Sequence, residues 1–159
     1  MRRFDREITD KNTIEEIISK SDVIRIGLYD GNEPYIVPLN FGYKTPYFYM
    51  HCANEGRKID IIKQFPKVCF ELDCEHNLVK APHACGWSME FNSVMGTGII
   101  EIITEQEEKI KGLTILMDHY NPDNLSQPYD FSKLFGRTTI LRLKVNSITG
   151  KVKNLSSES

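Results

Sequence analysis

The chain has 159 residues, which is enough for one domain with a hydrophobic core and too few for two domains of ordinary size. Its 20 Lys and Arg residues nearly balance 22 Asp and Glu residues, so no general surplus of positive charge favours binding to a nucleic-acid backbone. No apolar run is long enough to span a bilayer and no signal-peptide pattern follows the charged N-terminus, so we expect a cytoplasmic protein that binds no membrane.

The first third of the chain predicts a short helix followed by strands in hairpins. Residues 1–11 are mostly charged, and we expect a surface arm there. Isoleucines at helical spacing predict a helix over 12–21, with Asn12 or Thr13 as its cap. Apolar residues in alternation predict strands over the ranges 22–29, 35–41 and 47–52. Pro38 cannot donate a hydrogen bond within a sheet, so the second of these strands is an edge strand or contains a bulge.

A glycine turn followed by two cations begins the next element. The loop 53–56 leads into a helix that runs from Arg57 to Gln64 and is ended by Pro66. A helix start offers free N–H groups and a positive dipole end, and Arg57 and Lys58 add charge there, so the turn suits a phosphate. The same residues also suit a plain turn with solvated cations.

The rest of the chain predicts long strands and one long helix. We expect a strand over 67–74, a loop over 75–85, one or two strands over 87–103 and a final strand over 138–145. The residues from Thr104 to Glu107 have capping-box spacing and predict the start of the longest helix. Turn residues follow over 121–128, and 131–135 fits a helical turn.

Six or seven strands in hairpins, with only three helices, indicate a mainly β fold in which an antiparallel sheet closes into a small barrel. We expect a single domain over 1–153. The tail 154–159 has nothing to bury, and we expect it to be mobile.

Two Cys-x-His arrangements lie close together in the sequence, at Cys74-His76 and His83-Cys85. Zinc prefers these residue types, but each pair has only one intervening residue, whereas structural zinc sites usually have two or more. We therefore predict no metal site and favour core thiols beside exposed histidines. The four cysteines lie in a chain without export features, so we expect reduced thiols.

Several motifs together resemble one protein family. They are YIVPLNFGY at 35–43, YMHCA at 49–53, EGRKID at 55–60, SVMGTG at 93–98, and shorter matches near both ends of the chain. The chain resembles the pyridoxamine-phosphate-oxidase-like flavoproteins and, among these, the nitroimidazole-resistance proteins. The resemblance covers nearly the whole chain.

This resemblance implies a split β-barrel homodimer with FMN at the subunit interface. By the same resemblance, flavin contacts fall on Val37, Pro38, Leu39, Asn40, His51, Ala53, Ser93 and Val94, and phosphate contacts fall on Gly56, Arg57 and Lys58. The family often has a basic residue just before the position of Ser93, where this chain has Phe91 and Asn92.

The resemblance further implies an FMN-dependent oxidoreductase that reduces small nitroaromatic or similar acceptors, with NAD(P)H or another reductant as electron donor. We expect His51 to face the substrate as a proton donor or polar contact, since histidine exchanges protons near neutral pH. One alternative is a non-catalytic module that binds flavin or haem, the latter through His51, His76, His83 or His119. Another is a zinc-stabilised interaction domain.

Overall fold

The computed structural model describes residues 4–122, 129–131 and 136–153. Within these ranges the strands are β1 (Glu7–Ile8), β2 (Ile24–Tyr29), β3 (Pro34–Leu39), β4 (Phe41–Lys44), β5 (Tyr47–Cys52), β6 (Lys67–Val79), β7 (Ser88–Ile102) and β8 (Thr139–Lys153). The helices are α1 (Lys11–Lys20), α2 (Arg57–Gln64) and α3 (Gln106–Tyr120), with short 3-10 turns at Phe4–Arg6 and Ala84–Gly86.

The eight described strands form one antiparallel sheet in the order β3-β2-β6-β7-β8-β5-β4, with β1 added to β8. Because β3 and β4 have no common ladder, the curled sheet stays open along one line, as in a split barrel. The predicted fold class is confirmed. The core fills the inside of the sheet and includes Ile24, Phe41, Phe48, Leu72 and Leu141, all fully buried.

The N-terminal prediction was wrong in two details. The expected surface arm contains β1, in which Ile8 pairs with Gly150 of β8. Helix α1 is capped by Asp10, whose carboxylate accepts a hydrogen bond of 2.8 Å from the backbone N–H of Thr13, rather than by Asn12 or Thr13. The short Asp side chain reaches this N–H from the N-cap position, three residues earlier.

The strand with the central proline is an edge strand, as predicted, because β3 pairs only with β2 among the described residues. The predicted strand over 35–41 is nevertheless two strands, since the chain leaves β3 at Asn40 and enters β4 at Phe41. This break moves the chain from one end of the sheet order to the other.

The central strands are longer than predicted. The expected loop over 75–85 is wrong in its first half, because β6 continues to Val79 past a bulge between Cys74 and Asn77. Glu75 has a φ of 57° in this bulge, a backbone state that sequence alternation does not reveal. Strand β7 is one strand with a second bulge between Thr97 and Gly98, and β8 extends to Lys153.

The predicted capping box is wrong, because α3 begins after Glu105 and no side chain caps it. The predicted turn segment 121–128, the helical turn 131–135 and the tail 154–159 lie wholly or mostly outside the described residues. Among the described helices, none combines the length and apolar character needed to cross a membrane.

Candidate functional site

The turn before α2 has an open, uncapped helix start. Gly56 is the N-cap residue, with φ 113° and ψ 168°, and no side chain caps the helix. Among the described residues, no atom lies within 4 Å of a Cβ placed on Gly56, so none of them fills the space beside the turn. The first N–H groups of a helix have no partners within the helix, so this turn can receive a small anion.

Arg57 is the first of the two predicted phosphate cations, and the structure places it among other groups. Its Nη2 lies 3.0 Å from Oδ2 of Asp30 and also contacts Glu33, both in the β2–β3 turn. Its guanidinium carbon lies 4.7 Å from the ring centre of Tyr35. The backbone N–H groups of Glu33 and Asn32, and then Arg57, lower the pKa of Asp30 to about 2. Arg57 is therefore already paired with two carboxylates, of which Asp30 stays charged at neutral pH.

Lys58 is the second predicted cation, and it is half-buried. Among the described residues, no carboxylate forms an ion pair with it. Burial raises the pKa of the Cys52 thiol, and the charge of Lys58 acts in the opposite direction. Lys58 is thus a better candidate phosphate ligand than Arg57.

The end of β5 brings two more predicted residues to the same corner. His51 is exposed and pairs in register with Ile140 of β8, and Ala53 is exposed where the strand ends. The chain then turns through Gly56 into α2. His51 and Ala53 are thus exposed just before Gly56 and Lys58 in the chain, and we call the stretch that contains these four residues, 51–58, the turn corner.

The remaining predicted residues fall into two other environments. Val37 and Val94 are buried in the core, and both lie in paired strands. Leu39 packs against the core and Asn40 is exposed between β3 and β4.

Two predicted residues, Pro38 and Ser93, belong to the outside of the sheet. Pro38 pairs with Arg25, and Ser93 lies two residues before Met95 on the same side of β7. Ser93 is 7% exposed, a buried polar residue. A ligand that touched both this surface and the turn corner would have to span two regions of the chain.

The outer surface of β2, β3, β6 and β7 forms a groove of about 630 Å³. Its walls include Ile36, Cys69, Met95 and Thr97, with Arg25 and Glu71 at one side. Ile36 is 67% exposed and Met95 is 43% exposed, although both are large and apolar. Contiguous exposed apolar residues of this kind usually mark a binding surface.

The predicted cysteine and histidine cluster does not assemble as a metal site. The described residues contain no group of three or more His, Cys, Asp or Glu side chains that could hold a metal ion. His76 instead bonds Asp73, with Nε2 2.8 Å from Oδ2. Each of the four cysteines is unpaired, with Cys52 and Cys74 buried.

Sequence reasoning missed the residues that organise the turn corner. Asp30, Glu33 and Tyr35 surround Arg57, and Asn54 bonds residues just before and at the start of β8. Asp30 was visible only as a turn residue, and Asn54 only as part of a polar loop. Neither pattern identifies a partner that lies 24 or more residues away in sequence.

The comparisons with known proteins agree with this fold. A family model described as pyridoxamine 5'-phosphate oxidase matches residues 10–152. A crystal structure of a candidate 5-nitroimidazole antibiotic resistance protein from Bacteroides thetaiotaomicron is 36% identical, with 92% of this chain and 86% of that chain covered and a TM-score of 0.77. No curated protein matched the sequence.

More distant solved structures share the fold alone. The flavocytochrome Anf3 from Azotobacter vinelandii is 22% identical, with 97% of this chain and 72% of that chain covered and a TM-score of 0.80. An FAD- and haem-binding protein from Mycobacterium smegmatis is 16% identical, with 94% and 74% covered and a TM-score of 0.80. The family match over residues 10–152 and the 36% identity show that this chain belongs to the pyridoxamine 5'-phosphate oxidase family.

Proposed function

We propose that the protein binds FMN and acts as an oxidoreductase on small nitroaromatic or similar acceptors. The observation that carries this proposal is the turn corner, where exposed His51 is followed in the chain by the uncapped start of α2 and by Lys58, which has no ion pair among the described residues. The family membership supports a flavin. The 36% identity to a candidate 5-nitroimidazole resistance protein supports the nitro acceptor.

The residues of the turn corner suit the phosphate end of this cofactor. The backbone N–H groups at the start of α2 would donate hydrogen bonds to the phosphate oxygens, and Lys58 would add a charge-assisted hydrogen bond. His51 would lie on the substrate side, where its imidazole can supply a proton or hold a polar group of the substrate. Bound FMN would pass two electrons from NAD(P)H to a nitro group, which with two protons becomes a nitroso group and water.

We further propose that the chain is a homodimer whose contact surface is the outer apolar groove. A second copy brings the same groove, so the apolar residues of both copies can cover each other around a two-fold axis. Pro38 and Ser93 belong to the same outer side of the sheet as this groove, and a seam there would bring them closer to a ligand that the turn corner of either copy holds. A free monomer would leave Ile36 and Met95 in water.

Met95→Arg tests the dimer. The new arginine in the groove would face the same arginine of the second copy across the two-fold axis, and the two charges would repel each other. We therefore expect gel filtration and light scattering to give the mass of a monomer, while the circular dichroism spectrum stays unchanged. Met117→Arg is the control, since Met117 is similarly exposed on α3, away from the groove, and should leave the mass unchanged. A Met95→Arg protein that remains dimeric would place the contact elsewhere.

Arg57→Ala tests which cation binds the phosphate. Because Asp30 and Glu33 already pair with Arg57, we expect its removal to weaken FMN binding by about fivefold or less. Lys58→Ala should weaken FMN binding clearly more, since no carboxylate among the described residues competes with the phosphate for Lys58. Quenching of flavin fluorescence measures both affinities. A larger loss for Arg57→Ala would reverse the assignment.

A second candidate function is a module that binds flavin or haem without turnover. Two of the four histidines are engaged, since His76 bonds Asp73 and Nε2 of His119 lies 2.8 Å from the carbonyl oxygen of Ser21. The exposed His51 and His83 would be the haem ligands in this case.

Turnover separates the two functions. The FMN-loaded protein is mixed anaerobically with NAD(P)H and a nitroimidazole, and loss of the nitro group is followed by its absorbance. The oxidoreductase proposal expects multiple turnovers that fall at least tenfold in His51→Ala, a change typical of losing a general acid. Absence of turnover with NAD(P)H and with a chemical reductant would favour the binding module.

A further inference from the structure

We propose that Asn54 is a positioning residue that fixes the turn before α2 and thereby sets the affinity for the phosphate of FMN. This inference rests on the proposed function, because it concerns the same phosphate site. Asn54 does not itself contact the phosphate in this account. It acts by holding the backbone of Gly56 and the start of α2 in one conformation.

The side chain of Asn54 joins two parts of the chain that are far apart in sequence. Its Nδ2 donates a hydrogen bond of 2.8 Å to the carbonyl oxygen of Gly136. Its Oδ1 accepts a hydrogen bond of 3.0 Å from Oγ1 of Thr139. Both the donor and the acceptor of the amide are therefore used, one with a residue just before β8 and the other with the first residue of β8.

These bonds continue the β5–β8 pairing beyond its last backbone pair. The ladder between the two strands ends where Cys52 lies opposite Thr139. Asn54 follows two residues later, and its amide replaces the backbone bonds that the ladder no longer supplies. The loop 53–56 is thus anchored to the sheet at a point two residues before Gly56.

Gly56 is held on its helix side, where its carbonyl oxygen accepts hydrogen bonds from the N–H groups of Ile59 and Asp60, but it has no side chain to fix the turn on the other side. Its φ of 113° is open to glycine but unfavourable for other residues, and a Cβ there would have no neighbour within 4 Å in the described part of the chain. Among the described residues, Asn54 provides the one side-chain hydrogen bond pair from this loop to the sheet. Without it, the turn would sample other conformations and the N–H groups would be ordered only on binding, at a cost in affinity.

The test compares FMN with riboflavin, which has the same ring and no phosphate. In Asn54→Ala we expect the affinity for FMN to fall about tenfold and the affinity for riboflavin to change by less than about twofold. Thr139→Val removes only the hydroxyl donor, so it should lower the affinity for FMN by less than Asn54→Ala does and leave the affinity for riboflavin unchanged. Thr139→Ser keeps a hydroxyl donor and should have the FMN affinity of the unaltered protein. Asn77→Ala is the control, since this substitution also removes an exposed side-chain hydrogen bond, the one from Asn77 to Glu90 on the β6–β7 hairpin.

The outcomes separate this inference from the proposed function. An unchanged FMN affinity in Asn54→Ala and Thr139→Val, with tight FMN binding by the unaltered protein, would overturn the role of Asn54 and leave the proposed function standing. An equal loss for FMN and riboflavin would overturn it too, because a general disturbance would then explain the change. If the unaltered protein binds neither compound, the proposed function fails. Thr139→Val keeps the test decisive if Asn54→Ala folds poorly.

Discussion

Lys58→Glu is expected to weaken FMN binding by about a hundredfold or more. The substitution removes a cation that has no carboxylate partner among the described residues and places a negative charge beside the phosphate. The helix itself should not suffer, because a carboxylate near a helix N-terminus interacts favourably with the helix dipole. Titration of FMN fluorescence measures the affinity, and thermal unfolding shows that the chain remains folded.

Lys63→Glu is the matched control for this substitution. Lys63 is an exposed residue in the last turn of the same helix, so the change in net charge is identical and only its position differs. We expect its FMN affinity to stay within about twofold of the unaltered protein, since exposed charges at this distance are screened by salt. Equal losses in both variants would mean that net charge, rather than the turn corner, governs binding.

Gly42→Ala is expected to lower the free energy of unfolding by about 3 kcal/mol. A Cβ on Gly42 would lie 2.3 Å from the carbonyl oxygen of Ile115 and 2.5 Å from the Cα of Leu116. Both are backbone atoms of α3, which no side-chain rotation can move aside. The helix would have to withdraw from β4 and β5, and urea unfolding followed by circular dichroism would record the loss.

Gly86→Ala provides the comparison for this prediction. The nearest atom to a new Cβ there is the Cβ of Ala81, at 2.8 Å, within an exposed loop that can shift. We expect a loss of less than about 1 kcal/mol. If Gly42→Ala is as mild as Gly86→Ala, α3 packs less closely on β4 than the structure shows.

Local patterns predicted the elements that depend only on local chemistry. The helix Arg57–Gln64 was predicted with its observed limits because a glycine precedes it, isoleucines recur at helical spacing, and Pro66 follows. Pro38 alone predicted an edge position or a bulge for β3, and the structure has the edge position. The alternation of apolar residues similarly identified β5 with its observed limits.

Contacts between distant parts of the chain could not be predicted in this way. Glu7 and Ile8 form a strand only because β8 passes beside them, and the isolated sequence of the arm is simply charged. The sequence predicts Arg57 as a phosphate ligand, yet Asp30 and Glu33 in the β2–β3 turn form ion pairs with it. The anchoring of Asn54 depends in the same way on where β8 begins.

The visible absorption spectrum of the protein purified without added cofactor tests the central claim most directly. We predict the two bands of oxidised flavin, with one FMN per chain released on denaturation, and uptake of added FMN if the preparation is partly empty. A Soret band would show that the protein holds haem instead. A colourless protein that takes up no FMN would contradict the account.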